Sequence, residues 1–263
     1  MSEKIYNLVA DDIKSRVEWE TRQALWYQMR NNGLKRKHKP WPNAADMHFP
    51  LIDTTINKLK PGFFQQAMGL EVLATFVPMR SQLAGFTTAA EQWFSYKLHE
   101  QSNYATEVMS WIDHMLMGGR GVLKVFWNPD KRRVEFQAID PLFVIVPPWT
   151  KGVDGADRVA HVLPMSEAAY KRAGIYDTSK AVINKIRGGV EDNEGISNNL
   201  RNRKEIREGL TFSRDRDQII VWEVYTRKEK DGEWEVETFS PQSPDTKLRD
   251  TMAVPYDHGQ PPF

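Results

Sequence analysis

The residues whose types and spacing are best suited to chemistry are a basic run with a tryptophan close behind it. Lys35, Arg36, Lys37 and Lys39 lie in one short run, and Trp41 follows between two prolines. Lysine and arginine side chains neutralise phosphates, and an indole ring stacks on a nucleic-acid base. The run is therefore a candidate contact for DNA or another polyanion. The alternative interpretation is a solvated loop that carries a structural tryptophan.

A second set of candidates consists of residues in and beside two proline-rich turns. Prolines flank the first tryptophan of this set and precede the second, and proline disfavours helix at both places. An indole exposed in such a turn offers apolar area for contact with another subunit. We therefore expect subunit-interface residues at Trp41, Pro42, Asn43, Asp46 and Trp149.

Residue types that commonly perform catalysis form no recognisable motif. The six histidines include no pair at metal-binding helical spacing, and no Gly-x-Ser-x-Gly element is present. Glu233, Glu235 and Glu237 alternate along a strand-like segment, where we expect all three on a solvent-facing side. We predict no catalytic residue, no metal site and no cofactor. A metal-dependent nuclease, which would gather acids in space around an ion, remains as an alternative.

The sequence Gly118-Gly119-Arg120-Gly121 resembles a phosphate-binding loop only superficially. Such loops lead from a strand into a helix, whereas this one follows a helical pattern and precedes a strand-like one. We interpret it as the C-terminal cap of a helix followed by a turn.

The elements that position these residues divide into a helical front and a strand-rich back. Apolar spacing predicts a helix over 11–32, a helical stripe from Leu51 that Pro61-Gly62 interrupts, and two helices within 88–117 with Trp93 in their core. Beyond residue 120 we predict hairpins formed by 121–127 with 133–139 and by 219–226 with 233–237, a strand over 158–163, and a helix from a Ser166 cap to Gly174.

This pattern indicates the α+β class. It predicts a mainly helical region over 1–120 and a strand-rich region over 121–263, and we expect a flexible insertion at 188–217, where apolar residues are scarce.

Composition excludes several classes of protein. The chain has 263 residues, a formal net charge of +1 and no cysteine, so it has no disulfide, thiolate metal site or cysteine nucleophile. Near-neutral charge argues against a strongly basic nucleic-acid-binding domain. The longest apolar run, Leu142–Val146, is far shorter than the ~20 residues of a membrane-spanning helix, so we expect no membrane association.

Several segments together resemble the N-terminal half of tailed-bacteriophage portal proteins, the head-to-tail connectors of the virion. The resemblance covers roughly Trp19 to Phe263. It is carried, in order, by segments 26–30, 40–46, 50–54, 118–125, 139–142 ahead of 147–149, 222–225 and 256–263.

The resemblance implies a structural virion protein rather than an enzyme. Its homo-oligomeric ring, typically a dodecamer, would occupy one capsid vertex, and double-stranded DNA would pass through it during packaging and ejection. The implied partners are the major capsid protein, terminase and tail or adaptor proteins, and the protein would lie in the host cytoplasm during assembly and in the virion afterwards. Portal chains are usually longer, so these residues are expected to form the outer wing, either as the N-terminal part of a longer protein whose stem and tunnel elements follow Phe263 or as a shortened relative. A nucleic-acid-binding module built on 35–41 remains the competing interpretation.

Overall fold

The structure, a computed structural model, describes most of the chain. The described residues are 2–31, 41, 49–69, 72–128, 131–150, 152–153, 155–187, 218–228, 232–254, 256 and 259–263.

Among these residues, seven α-helices and seven strands confirm the α+β class. The helices are α1 (Ser2–Ser15), α2 (Val17–Arg30), α3 (Leu51–Met68), α4 (Ala84–Tyr96), α5 (Tyr104–Gly118), α6 (Glu167–Ala173) and α7 (Lys180–Arg187). The strands are β1 (Val122–Asn128), β2 (Arg133–Ile139), β3 (Val144–Ile145), β4 (Arg158–Ser166), β5 (Gln218–Arg227), β6 (Trp234–Ser240) and β7 (Ser243–Ala253). They form an antiparallel β1-β2 pair and an antiparallel five-stranded sheet in the order β3-β4-β5-β6-β7.

The chain divides into two compact units that do not follow the change in composition near residue 120. Unit 1 contains residues 1–44 and 142–261, and unit 2 contains residues 45–141 together with 262–263. The β1-β2 hairpin therefore belongs to the same unit as α3, α4 and α5, whereas α1 and α2 belong to unit 1. The reason is that the hairpin packs on α5, as side-chain bonds described below demonstrate.

The core of unit 1 lies on both faces of the five-stranded sheet. Because strand side chains alternate, successive β5 residues face opposite sides. Trp222 stacks on Tyr6 of α1, with ring centroids 5.5 Å apart. Ile219 and Val221 belong to a buried cluster with residues of α6 and α7. The near-continuous apolar sequence of β5 thus reflects a strand that is covered on both faces.

Arg16 fixes the junction between α1 and α2 to the start of β3 and to the turn that precedes it. Its Nη1 donates to the carbonyl oxygen of Val144 at 2.6 Å, its Nη2 donates to that of Leu142, and its Nε donates to Glu20 at 2.5 Å. The single helix predicted over 11–32 is therefore wrong in its boundaries. The chain instead forms two helices that separate at Arg16.

Unit 2 is built on α5, which packs against α3 and carries the β1-β2 hairpin. Asn103, immediately before α5, donates to the carbonyl oxygen of Phe136 at 2.6 Å and accepts from its backbone N–H at 2.9 Å. Glu107 accepts from the backbone N–H of Ala138 at 2.7 Å. These side chains pair with the free edge of β2 as a neighbouring strand would, so they fix the hairpin on the helix.

Two local expectations are wrong for identifiable reasons. Helix α3 continues through Pro61 to Met68, and its contacts with α5, among them the ion pair of Lys60 with Asp113 at 3.3 Å, support the helix around the proline. Glu237 is buried rather than solvent-facing, because it lies opposite Val224, on the sheet face where Trp222 stacks on Tyr6 of α1.

Other local expectations are confirmed. Both hairpins form. Gly119 adopts a left-handed conformation, with φ of 68°, where it caps α5, and its N–H donates to Met115. The Ser166 side chain caps α6 by accepting from the N–H of Ala169, and Gly174 ends that helix. The expected insertion at 188–217 lies outside the described residues.

Candidate functional site

The structure describes two of the site residues expected from sequence. Trp41 and Trp149 are each 63% exposed, and among the described residues no ring contact joins them. The proposed polyanion contacts Lys35, Arg36, Lys37 and Lys39, and the proposed interface residues Pro42, Asn43 and Asp46, lie outside the described residues.

Trp149 is exposed but held in place. It lies in a turn in which the backbone N–H and the hydroxyl of Thr150 both donate to Pro147. The guanidinium of Arg158 lies 5.1 Å from the indole centroid, a cation-π contact. That guanidinium also binds the buried carboxylate of Asp12. A fixed indole loses little conformational entropy on binding, so Trp149 is suited to contact another molecule.

A larger apolar surface lies in unit 2, along α4 and the segment that leads into it. We call Val77, Met79, Leu83 and Phe86 the α4 surface. Val77 is 84% exposed, Met79 97% and Phe86 70%. Within α4 only Ser95 is buried. Side chains of this size and exposure, close together in the chain, are typical of a surface that another molecule covers.

The second feature of unit 2 is a cavity of about 620 Å³ between the end of α4 and one face of the β1-β2 hairpin. Two cross-strand pairs, Val125 with Phe136 and Trp127 with Val134, form its floor. The backbone N–H of Phe136 bonds to Asn103 and that of Val125 donates to Pro262, so both point away from the partner strand. Val125 and Phe136 are therefore a non-hydrogen-bonded pair, the kind in which side chains approach most closely.

Aromatic and cationic side chains complete this cavity, which we call the hairpin groove. Trp93 and Phe94 of α4 form one wall, and Tyr104 contacts Phe136 at a centroid distance of 4.8 Å. Lys97 lies on the π-helical turn after α4, with Nζ 5.7 Å from the Trp93 centroid. The expectation that Trp93 lies in the core is wrong, since the side chain is 61% exposed on the wall of the groove.

The turn at the end of the hairpin is stabilised around one carboxylate. Lys131 donates to Glu135 at 2.7 Å, Asn128 at 2.8 Å, and Arg133 through Nη2 at 2.8 Å. These three donors, with Lys131 the largest contributor, lower the pKa of Glu135 to about 2. Arg132 between them has φ of 49°, in the left-handed region, and its side chain lines the hairpin groove.

Unit 1 contains a buried polar cluster that the sequence did not suggest. Nδ1 of His161 lies 3.6 Å from Glu223, its cross-strand neighbour on β5. The phenols of Tyr176 and Tyr225 both bond to Glu223, and burial, reinforced by its charge, raises the pKa of each above the ordinary value. The tyrosines therefore stay neutral and act as hydrogen-bond donors. Their bonds compensate for the water contacts that the Glu223 carboxylate loses within the fold.

The hairpin groove was not predicted from the sequence either, although the apolar pattern of β1 indicates it. Val122, Leu123, Val125, Phe126 and Trp127 make both faces of this strand apolar. A strand in a two-stranded hairpin with one solvated face would alternate apolar and polar residues. The lack of alternation indicates a second face that needs a partner.

Comparisons with known proteins identify no family. No protein-family model matches the sequence, and no curated protein is significantly similar to it. In the described part of the chain, no helix combines the length and apolar character needed to cross a membrane. Over the same residues, no group of three or more histidine, aspartate or glutamate side chains is arranged to hold a metal ion.

Proposed function

We propose that the chain is a subunit of a tailed-phage portal ring, the structural protein at the capsid vertex through which double-stranded DNA is packaged and ejected. The observation that carries the proposal is the α4 surface. Helix α4 buries only Ser95, while Val77, Met79 and Phe86 extend toward solvent. An isolated short helix is marginal in water, and most helical stability in proteins comes from a covered apolar face. A neighbouring copy supplies that cover.

Ring closure also needs a second, different patch on each subunit. A head-to-tail interface joins two complementary surfaces, and a rotation that closes gives a ring. Trp149, fixed by Arg158, is the best described candidate for the second patch. The expected interface residues around Trp41 add to it. In this role the chain is not an enzyme, and ATP hydrolysis belongs to the terminase that docks on the ring.

The order of the portal-like segments along the chain adds independent support. The junction 118–125 forms the α5 cap and the start of β1, and segment 222–225 forms the centre of the strand covered on both faces. The resemblance therefore involves segments that organise the fold. The expected dodecameric stoichiometry, capsid, terminase and tail or adaptor partners, and virion location belong to the same proposal.

The proposal is tested by the oligomeric state of the protein at micromolar concentration, measured by mass photometry and negative-stain electron microscopy. We expect closed rings. The double substitution Met79→Glu with Phe86→Glu should convert them into monomers or open fragments, because it places two charges in the contact. Gln92→Glu is the matched control, since it adds a charge to an exposed position of the same helix without removing an apolar side chain.

Two results would contradict the portal proposal. One is a protein that stays monomeric throughout the micromolar range. The other is an assembly that the double variant leaves intact, because the α4 surface would then not be the contact. Circular dichroism of each variant checks that the fold is retained.

The nucleic-acid-binding module remains the second candidate, because Trp41 beside the basic run is largely exposed. It predicts that the logarithm of the DNA-binding constant falls with the logarithm of salt concentration at a slope of about −3 to −4 for four neutralised phosphates. Replacing Lys35, Arg36, Lys37 and Lys39 by alanine should abolish that slope. The absence of DNA binding in low salt would exclude this module and leave the ring proposal standing.

A further inference from the structure

The hairpin groove has the composition of a recognition site. Its lining is mostly apolar, and it includes the exposed rings of Trp93 and Trp127. Tryptophan and tyrosine are the residues that most often dominate the energy of a protein interface. Here they surround a concave surface that has Val125 and Phe136 on its floor. A side chain inserted there would contact aromatic rings on several sides.

The positively charged side chains at the rim of the groove favour a negatively charged ligand. Lys97, Arg132 and Arg133 line the groove, and no aspartate or glutamate is among the described residues that line it. Arg133 is engaged by Glu135 at the base of the turn. Lys97 and Arg132 come from opposite sides, one from the turn after α4 and the other from the hairpin turn. Carboxylates on a bound molecule would therefore meet positive charge at both sides of the groove.

The exposure of the tryptophans favours an extended ligand over a compact one. Sites for small molecules typically bury most of the ligand in a pocket of this volume. In this groove, however, Trp93 is 61% exposed and Trp127 is 56% exposed, so a compact ligand seated on Val125 and Phe136 alone would leave much of both indole rings in contact with water. A peptide lying across the groove would cover both rings and still place one side chain on the floor.

We propose that the hairpin groove binds an acidic peptide segment of another protein, with one large apolar side chain seated on Val125 and Phe136 and flanking carboxylates paired with Lys97 and Arg132. This inference does not depend on the portal proposal, because the groove and the α4 surface use different residues.

The test is selection from a display library of random short peptides against the whole protein, followed by fluorescence anisotropy with the enriched peptides. We expect the enriched sequences to combine one aromatic or large aliphatic residue with net negative charge. Trp127→Ala should weaken their binding by about 30-fold, the loss of one interface hot spot. Lys97→Glu should weaken it as well and, in a fresh selection, shift enrichment toward less acidic peptides.

Matched control variants distinguish binding in the groove from nonspecific binding to an exposed tryptophan and from nonspecific attraction to a surface charge. Trp149→Ala removes a similarly exposed indole from unit 1, and Lys58→Glu reverses an exposed charge on α3 of unit 2. Neither should change peptide affinity by more than about twofold, which is within the usual effect of a surface substitution.

Three outcomes would overturn the inference. The first is that no peptide is enriched in a way that depends on Trp127, and the second is that neutral or basic peptides are enriched. The third is that dodecanoate binds saturably in the groove while no selected peptide binds there. The last result would assign the groove to a small amphiphilic anion. Loss of ring assembly in the α4-surface variants without loss of peptide binding would separate this site from the portal proposal.

Discussion

Arg158 donates two hydrogen bonds to Asp12, from Nε to Oδ2 at 2.7 Å and from Nη2 to Oδ1 at 2.8 Å. The carboxylate is buried and the guanidinium nearly so. The pair joins α1 to the start of β4 and holds the arginine under Trp149. One ion pair thus connects the packing of the N-terminal helix to the placement of an exposed indole.

Removing one member of this pair should be costly. We expect Arg158→Ala to lower the free energy of unfolding by about 3 to 5 kcal/mol, because it leaves the Asp12 carboxylate buried without its main partner. Urea denaturation followed by circular dichroism measures the change. Lys14→Ala is the control, since the bridge from Lys14 to Asp11 is largely exposed and should contribute at most about 1 kcal/mol. Equal effects of the two substitutions would contradict this account.

The close approach of Gly121 to Trp111 gives a second prediction. A Cβ built at Gly121 would lie 2.6 Å from Nε1 of the indole, so Gly121→Ala should force the ring or the start of β1 to shift. We expect a loss of about 1 to 3 kcal/mol in thermal or urea unfolding. Gly85→Ala in α4 is the opposite case, because no atom lies within 4 Å of a Cβ built at this position and alanine favours helix. It should raise stability by about 0.5 to 1 kcal/mol.

Asn103 should be essential for docking the hairpin on α5. Asn103→Ala removes both bonds to the backbone of Phe136 and leaves its N–H and carbonyl without these partners. We expect a loss of about 1 to 3 kcal/mol, together with faster amide hydrogen exchange in β2. Asn57→Ala removes an asparagine whose bond to Asp53 is exposed, and it should change stability by less than about 0.5 kcal/mol. Unchanged exchange in β2 would show that Asn103 does not hold the strand.

The low pKa of Glu135 predicts a specific dependence on pH. Its pKa falls from the ordinary 4.5 to about 2 in the folded chain, so the folded state favours the carboxylate. The unfolded state binds a proton first as pH falls, and the stabilisation from Glu135 is complete above about pH 4.5 and is lost progressively toward pH 2. Glu135→Gln should therefore be less stable than the parent protein near neutral pH, with a difference that narrows in this acidic range. A difference independent of pH would contradict the assigned role of the charge.

Much of the fold followed from local sequence signals. A run of β-branched and aromatic residues located β5, and the Ser166 and Gly174 signals placed α6 correctly, because a side-chain cap and a left-handed glycine act within a few residues. The course of α3 through Pro61 could not be predicted in this way. It depends on contacts between α3 and α5, and α5 is distant from Pro61 in sequence.

The candidate sites were harder to predict from the sequence for the same reason. Helical periodicity placed Trp93 in a helix correctly but assigned it to the core, because periodicity identifies an apolar face without stating what covers it. The groove requires the end of α4 to lie beside the hairpin that Asn103 fixes on α5, and neither Trp93 nor Trp127 carries a local signal of that arrangement. The tyrosines around Glu223 come from separate segments in the same way.

The β1-β2 ribbon has partners at both of its outer edges. Asn103 and Glu107 bond to the backbone of β2, and on β1 the N–H of Val125 donates to the carbonyl oxygen of Pro262. A foreign strand that sought to extend this ribbon by β-augmentation would have to displace those bonds first. The hairpin is therefore protected from templated edge-to-edge aggregation, and the approach that remains open to a partner is across its aromatic face.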